Sequence, residues 1–182
     1  MLIRVAKQSD ANDILKIYTP YVKKTNVTFE YDVPTLVEME KRIAMTLKKY
    51  PYLVAEINED IVGYAYASCF HERKAYQWAC ELSVYVNEKY HGQGIARHLY
   101  ESLFEILKDM HIEMVYANIT HPNIKSESFH DKLGFKTVAI FQKCGYKFNE
   151  WQDVVWKEKR IGQFGKPCDI EWFSNFSYKK YI

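Results

Sequence analysis

The segment VYVNEKYHGQGIARHLY leaves a β-branched stretch, passes through a loop holding Gly92 and Gly94, and enters an amphipathic helical pattern. Glycine lets a backbone turn tightly and approach a ligand closely. The unpaired N–H groups and positive dipole end of the helix's first turn then face whatever anion arrives. A pyrophosphate suits that arrangement. The loop lacks the Gly-Lys-Ser/Thr ending of a triphosphate-binding loop, and Arg97 stands where a dinucleotide fingerprint needs its third glycine. Two glycines taken alone more often serve only the strand-to-helix turn.

Further chemistry-bearing residues flank this loop. Strand alternation puts Glu81, Ser83 and Tyr85 on one face and Trp78, Cys80, Leu82 and Val84 on the other. Glu81 is thus a carboxylate on a strand running into the glycine loop, a pattern shared with solvent-facing glutamates. The preceding loop HERKAYQW offers Arg73, able to hold a carboxylate or phosphinate by two parallel hydrogen bonds, with Tyr76 and Trp78 as pocket walls. His71, His91, His98, His111 and His121 show no ligand spacing with Cys, Asp or Glu, so no metal site is expected.

The elements that must position these residues follow from periodicity. A short strand at Ile3 to Ala6 precedes a helix with Ile14, Ile17, Tyr18 and Tyr21 on one face, which Pro20 should kink or break. A second helix is expected from near Pro34 to before Pro51. Two β-rich runs joined at Asn58 to Asp60 read as a hairpin, and a third strand as Trp78 to Asn87. Ile95, Leu99, Leu103, Ile106 and Met110 form the apolar stripe of the helix that follows. EMVYANIT, a short helix at Ser126 to Leu133, FKTVAIF and WQDVVWKEK complete a mixed α/β sheet in one domain, residues 1–160. Residues 161–182 form an aromatic C-terminal extension.

Composition bounds the partners. With 25 basic and 23 acidic residues, no global field draws the chain to nucleic acid or an anionic membrane. No apolar run approaches membrane-spanning length, and there is no signal-peptide pattern at the start. Four cysteines without a paired Cys-x-x-Cys fit a reduced, cytoplasmic setting.

The loop HGQGIA, residues 91 to 96, resembles the coenzyme A loop of the GNAT superfamily of N-acetyltransferases: Arg or Gln, two residues, Gly, one residue, then Gly or Ala. His91 departs at the first position. Asn123 followed by Leu133-Gly134-Phe135 matches a second family element, and the resemblance extends over residues 3 to 159. Within the superfamily the chain is similar to phosphinothricin and methionine sulfoximine N-acetyltransferases through NVTFEY, YPYLVAE, GYAYAS, ERKAYQW, ELSVYV and GYKFNEWQDVVWKE.

This resemblance implies a mainly antiparallel sheet splayed at its centre with helices on both faces. It implies acetyl-coenzyme A as co-substrate, held by Val84, Tyr85 and Val86, by Gly92, Gln93, Gly94, Ile95, Ala96 and Arg97, and by Asn123. Glu81 would be the general base, a β-bulge near Val84 or Tyr85 would free an N–H for the thioester oxygen, and His130 would donate a proton to the departing thiolate. Arg73 and Tyr76 would meet a small amino-acid-like amine. A family histidine is replaced by Phe148. The resemblance also implies a homodimer, with Trp172, Phe173, Phe176, Tyr178 and Tyr181 buried against the core or the partner. Competing acceptors are a protein N-terminus or a polyamine. A non-catalytic acyl-coenzyme A sensor is the reading outside enzyme chemistry.

Overall fold

A computed structural model describes residues 1–177, so Tyr178 and Tyr181 lie outside the described residues. The strands, in chain order, are β1 (Leu2–Val5), β2 (Tyr52–Ile57), β3 (Asp60–Cys69), β4 (Ala79–Val86), β5 (Met114–His121), β6 (Lys136–Lys147) and β7 (Glu150–Arg160). The helices are α1 (Ala11–Lys24), α2 (Leu36–Leu47), α3 (Ile95–Asp109) and α4 (Ile124–Lys132). The strands form one sheet in the order β1-β2-β3-β4-β5-β7-β6. Every neighbouring pair is antiparallel except β4 with β5.

Strand alternation feeds two cores. Cys80, Leu82, Val115 and Ala117 face α3, whose Leu99, Leu103 and Ile106 are fully buried against them. Tyr52, Val54 and Tyr64 face α1 and α2, meeting Ile14, Ile17 and Ile43. Helices thus cover both faces of the sheet. The β2–β3 hairpin turns on Asn58 and Glu59, both at positive φ (52° and 70°), the geometry that matches the twist of its strands.

Several details depart from the sequence expectations. α1 runs through Pro20 to Lys24, because Ile17, Tyr18 and Val22 on both sides of it are buried in one core. α2 begins at Leu36, where Thr35 and Glu38 form a reciprocal capping box at 3.2 Å each way. β6 continues beyond Phe141 to Lys147, a register irregularity between Phe141 and Gly145 absorbing the break in alternation. The extension folds back on its own core: Phe173 is buried, Trp172 meets Tyr50 edge-on at 5.7 Å, and Phe176 packs beside them. No helix among the described residues is long and apolar enough to cross a membrane.

Candidate active site

β4 and β5 pair only from Ala79, Cys80 and Glu81 to Met114, Val115 and Tyr116. Beyond Glu81 they diverge, β5 staying paired with β7 along its whole length, and a cleft opens lined by Leu82, Val84, Tyr100, Asn118, Asn123 and His130. The expected β-bulge is absent: β4 stays in unbroken register with β3 from Cys80 to Val86. Divergence exposes the donor instead. Asn87 N–H donates to Val62 C=O on β3, so alternation turns the N–H and C=O of Val84 to the other edge, which β5 has left. An extended amide-bearing ligand can pair there as an added strand.

Glu81 sits at the fork. Asn118 Nδ2 donates to its Oε2 at 2.8 Å across the opening, on the face shared by Tyr116. Burial raises the carboxyl above its ordinary pKa, and the Asn118 bond offsets part of that rise. Such a carboxylate is a better proton acceptor than an exposed one, as a general base for an ammonium requires.

The glycine loop adopts the conformation its composition implies. Gly92 and Gly94 have φ of +79° and +80°, where a side chain is strained, and α3 starts at Ile95 with its first N–H groups free of a side-chain cap. Arg97 lies on the exposed side and pairs with Glu101 at 2.7 Å. His91, where the loop departs from the family pattern, is turned back on β4. Its Nε2 is 3.0 Å from the Val86 carbonyl, which also accepts from the Tyr21 hydroxyl at 2.6 Å. Val86 C=O is therefore already engaged. Across the cleft Asn123 caps α4, its Oδ1 accepting from Ser126 N–H at 3.1 Å.

His130 is buried rather than exposed to solvent. Its Nδ1 donates to the Ser126 carbonyl at 2.8 Å, which leaves Nε2 as the acceptor facing the Tyr100 hydroxyl at 3.3 Å. Burial pushes the ring down to about 4, so at neutral pH it carries no proton on Nε2 to give away. This corrects the sequence expectation of His130 as the direct donor. The hydroxyl next to it belongs to Tyr100, which sits beside the α3 stripe and lines the same cleft.

Arg73 and Tyr76 lie together in the exposed loop before β4. Tyr76 contacts the rings of His71 (4.9 Å) and Phe70 (6.0 Å), and Phe70 stacks on Tyr116 at 4.3 Å, beside Glu81's partner position. Trp156 approaches Phe70 at 5.9 Å. Trp78, expected as a pocket wall, faces elsewhere: its indole N–H donates to the Cys168 carbonyl at 2.8 Å and ties down the extension. The walls near Glu81 are Phe70, Tyr116 and Trp156. Sequence reasoning missed them, together with Asn118 and Tyr100. The parity of β5 and β7 relative to Glu81 is the signal that could have found Asn118, Tyr116 and Trp156, given the strand pairing. Among the described residues no cluster of His, Cys, Asp and Glu could hold a metal ion.

Comparison with known proteins agrees with this geometry. Residues 3–156 match the family model described as "Acetyltransferase (GNAT) domain". The chain is 32% identical over 164 residues to a phosphinothricin N-acetyltransferase of Streptomyces coelicolor, covering 87% of this chain and 95% of that one. It is 28% identical over 171 residues to an L-methionine sulfoximine/L-methionine sulfone acetyltransferase of Salmonella typhimurium, covering 92% and 98%. A phosphinothricin acetyltransferase from Sinorhizobium meliloti, crystallised with acetyl-coenzyme A, superposes with a TM-score of 0.89 at 28% identity, covering 98% of both chains. The cleft thus combines a free strand edge, a helix-initiating glycine loop and a half-buried carboxyl at Glu81. With the family match over most of its length, the chain belongs to the GNAT acetyltransferases and is an acetyl-coenzyme A-dependent N-acetyltransferase.

Proposed function

We propose that the acceptor is the α-amino group of a small amino-acid analogue of the methionine sulfone, methionine sulfoximine or phosphinothricin type, attacking the thioester directly with Glu81 as base. The observation that carries this reading is the Glu81 carboxyl at the fork of β4 and β5, bonded by Asn118, three residues from the free edge at Val84. The co-substrate fits the cleft through three groups of the chain: the loop from Gly92 to Arg97 for the pyrophosphate, the Val84 C=O for a pantetheine amide, and Asn123 opposite. When bound, it supplies the acetyl group as a thioester.

The chain's residues divide the proton chemistry. Glu81 takes the proton that frees the amine's lone pair. As nitrogen bonds to the acetyl carbon and the carbon–sulfur bond breaks, the Val84 N–H meets the charge that develops on oxygen; one such donor is worth about 3 kcal/mol. The Tyr100 hydroxyl, which burial keeps protonated, donates a hydrogen bond to the departing sulfur, and the proton that neutralises the thiolate comes from Glu81 or solvent. Arg73 orients the acceptor's acidic head and Tyr76 narrows the approach.

Acceptor choice is tested by thiol release with acetyl-coenzyme A against a panel of amino acids and their sulfone and sulfoximine analogues, spermidine and short peptides. Sulfone and sulfoximine should lead in kcat/KM, and Arg73→Ala should reduce that lead. Phosphinothricin should trail them, because Phe148 stands where a histidine would meet its extra charge. A peptide or polyamine ahead by about tenfold, roughly 1.4 kcal/mol, overturns the acceptor while leaving acetyl transfer intact.

A homodimer forms part of the same reading. Trp172, Phe173 and Phe176 are packed on their own core, so the surface to be covered lies elsewhere. Edge strand β6 and the start of β7 expose Val138, Ile140, Phe141, Tyr146 and Trp151, each between 45% and 62%. That is an apolar patch on an unpaired edge, and a second copy is its occupant.

A further inference from the structure

Lys147, the last residue of β6, is 2% exposed, and no ion pair is formed by it among the described residues. All three N–H bonds of its ammonium are used on backbone: it donates to Val22 C=O at 2.9 Å, Thr25 C=O at 2.8 Å and Thr28 C=O at 2.7 Å. Glu30, the acid that acts on it through space, is itself paired with Arg42 at 2.6 Å. A buried ammonium is costly without partners, and these three oxygens complete its hydrogen-bonding capacity.

The oxygens are informative. Val22 lies in the last turn of α1, and Thr25 caps it with an extended backbone rather than a left-handed glycine. Helix ends leave carbonyls unsatisfied and carry negative partial charge, so Lys147 serves as the missing cap from a distant strand. Thr28 C=O brings in the loop between α1 and α2. That loop is sewn to the same side of the molecule: Thr120 Oγ1 donates to Asn26 C=O at 2.5 Å and Asn26 Nδ2 to Gln152 Oε1 at 2.6 Å. Phe29 lies so close to Gly145 that a Cβ there would fall 2.2 Å from its ring. Val27, between these ties, lines the cleft with Leu82, Val84 and Asn118.

We propose that Lys147 is a positioning residue, its ammonium organising residues 22–28 into a fixed wall of the cleft that Val27 shares with Asn118, the hydrogen-bond partner of Glu81. The proposal rests on the acetyl-transfer reading of that cleft. Lys147 touches no reacting atom. It acts through the loop, setting how the acceptor is held; the three oxygens it holds belong to residues 22–28 and none to the glycine loop or β4.

The test uses the full chain with Lys147→Met, which keeps the volume and removes the donors, and Lys147→Ala, which opens a cavity the size of a small alkylammonium. In both, KM for the acceptor should rise by about tenfold while KM for acetyl-coenzyme A stays within about twofold. Amide exchange of residues 25–30 should quicken. In Lys147→Ala, added ethylammonium should restore the acceptor KM, whereas tetramethylammonium at equal ionic strength, lacking N–H donors, should not. Either variant reports if the other fails to fold. Intact transfer with an unmoved acceptor KM, equal changes in both KM values, or equal rescue by the two cations overturns this proposal alone. Absence of transfer to every amine by the wild-type chain overturns the acetyl-transfer reading and this proposal with it.

Discussion

As the proposed base, Glu81 has to be both half-buried and charged, and the two demands conflict. Burial raises its carboxyl pKa, favouring the neutral form in the fold. A group with a raised folded pKa contributes stability that is present in acid, below its unfolded pKa, and is lost as pH rises through the folded one. Glu81→Gln, always neutral and nearly isosteric, should therefore melt no lower than the wild type at neutral pH, any advantage vanishing once the solution is acidic enough to protonate ordinary carboxyls. A markedly lower melting temperature at neutral pH would show the carboxylate to be structural instead. Tyr100→Phe removes the hydroxyl beside His130 and should slow turnover by about 10²–10³-fold without weakening acetyl-coenzyme A binding, the effect of losing one hydrogen-bond donor to developing charge. Wild-type turnover in that variant returns the donor role to another group. Legibility at this scale was uneven. Glu81, the glycines and Asn123 stand in local motifs that a sequence displays. Asn118 and Trp156 became neighbours of the site only through pairing across strands 37 or more residues away from Glu81, and Trp78 was misjudged because its partner, Cys168, lies 90 residues away in sequence.

Local sequence determined most elements. The β2–β3 turn, the apolar stripe of α3 and the capping box Thr35 to Glu38 all satisfy short-range rules. Pro20 and the extension of β6 did not follow them, because tertiary burial and a register irregularity decided the outcome. The strand-to-helix turn into α3 makes a sharp prediction. Gly94 at φ +80° would be strained by about 1–3 kcal/mol with a side chain, while its neighbourhood is open enough that no core atom must move. Gly94→Val should thus spare the fold and sharply weaken acetyl-coenzyme A binding in calorimetry; unchanged affinity would detach the loop from the pyrophosphate. The C-terminal extension behaves as part of the core. Phe173 is 3% exposed, so Phe173→Ala should cost about 3–5 kcal/mol in denaturant unfolding. A cost below about 1 kcal/mol would mark the extension as an appendage.

Across the whole molecule, one architectural fact organises the rest. Five of the six neighbouring strand pairs are antiparallel, but β4 and β5 are parallel, pair for three residues and then part. The proposed mechanism draws on what meets at that fork: a free strand edge, a helix N-terminus, a half-buried carboxyl and a loop bonded to Lys147. The exposed apolar edge at β6 completes the picture, and sedimentation should give a dimer that Ile140→Asp together with Trp151→Asp converts to monomer; a monomeric wild type would contradict it. The central claim is that the fork is where an amine is deprotonated and acetylated. It is tested most directly by thiol-release kcat/KM as a function of pH for wild type and Glu81→Gln, with methionine sulfone as acceptor. The variant should lose about 10²–10⁴-fold at neutral pH and recover as the amine deprotonates unaided at higher pH. Equal kcat/KM for the two proteins at neutral pH would contradict the account.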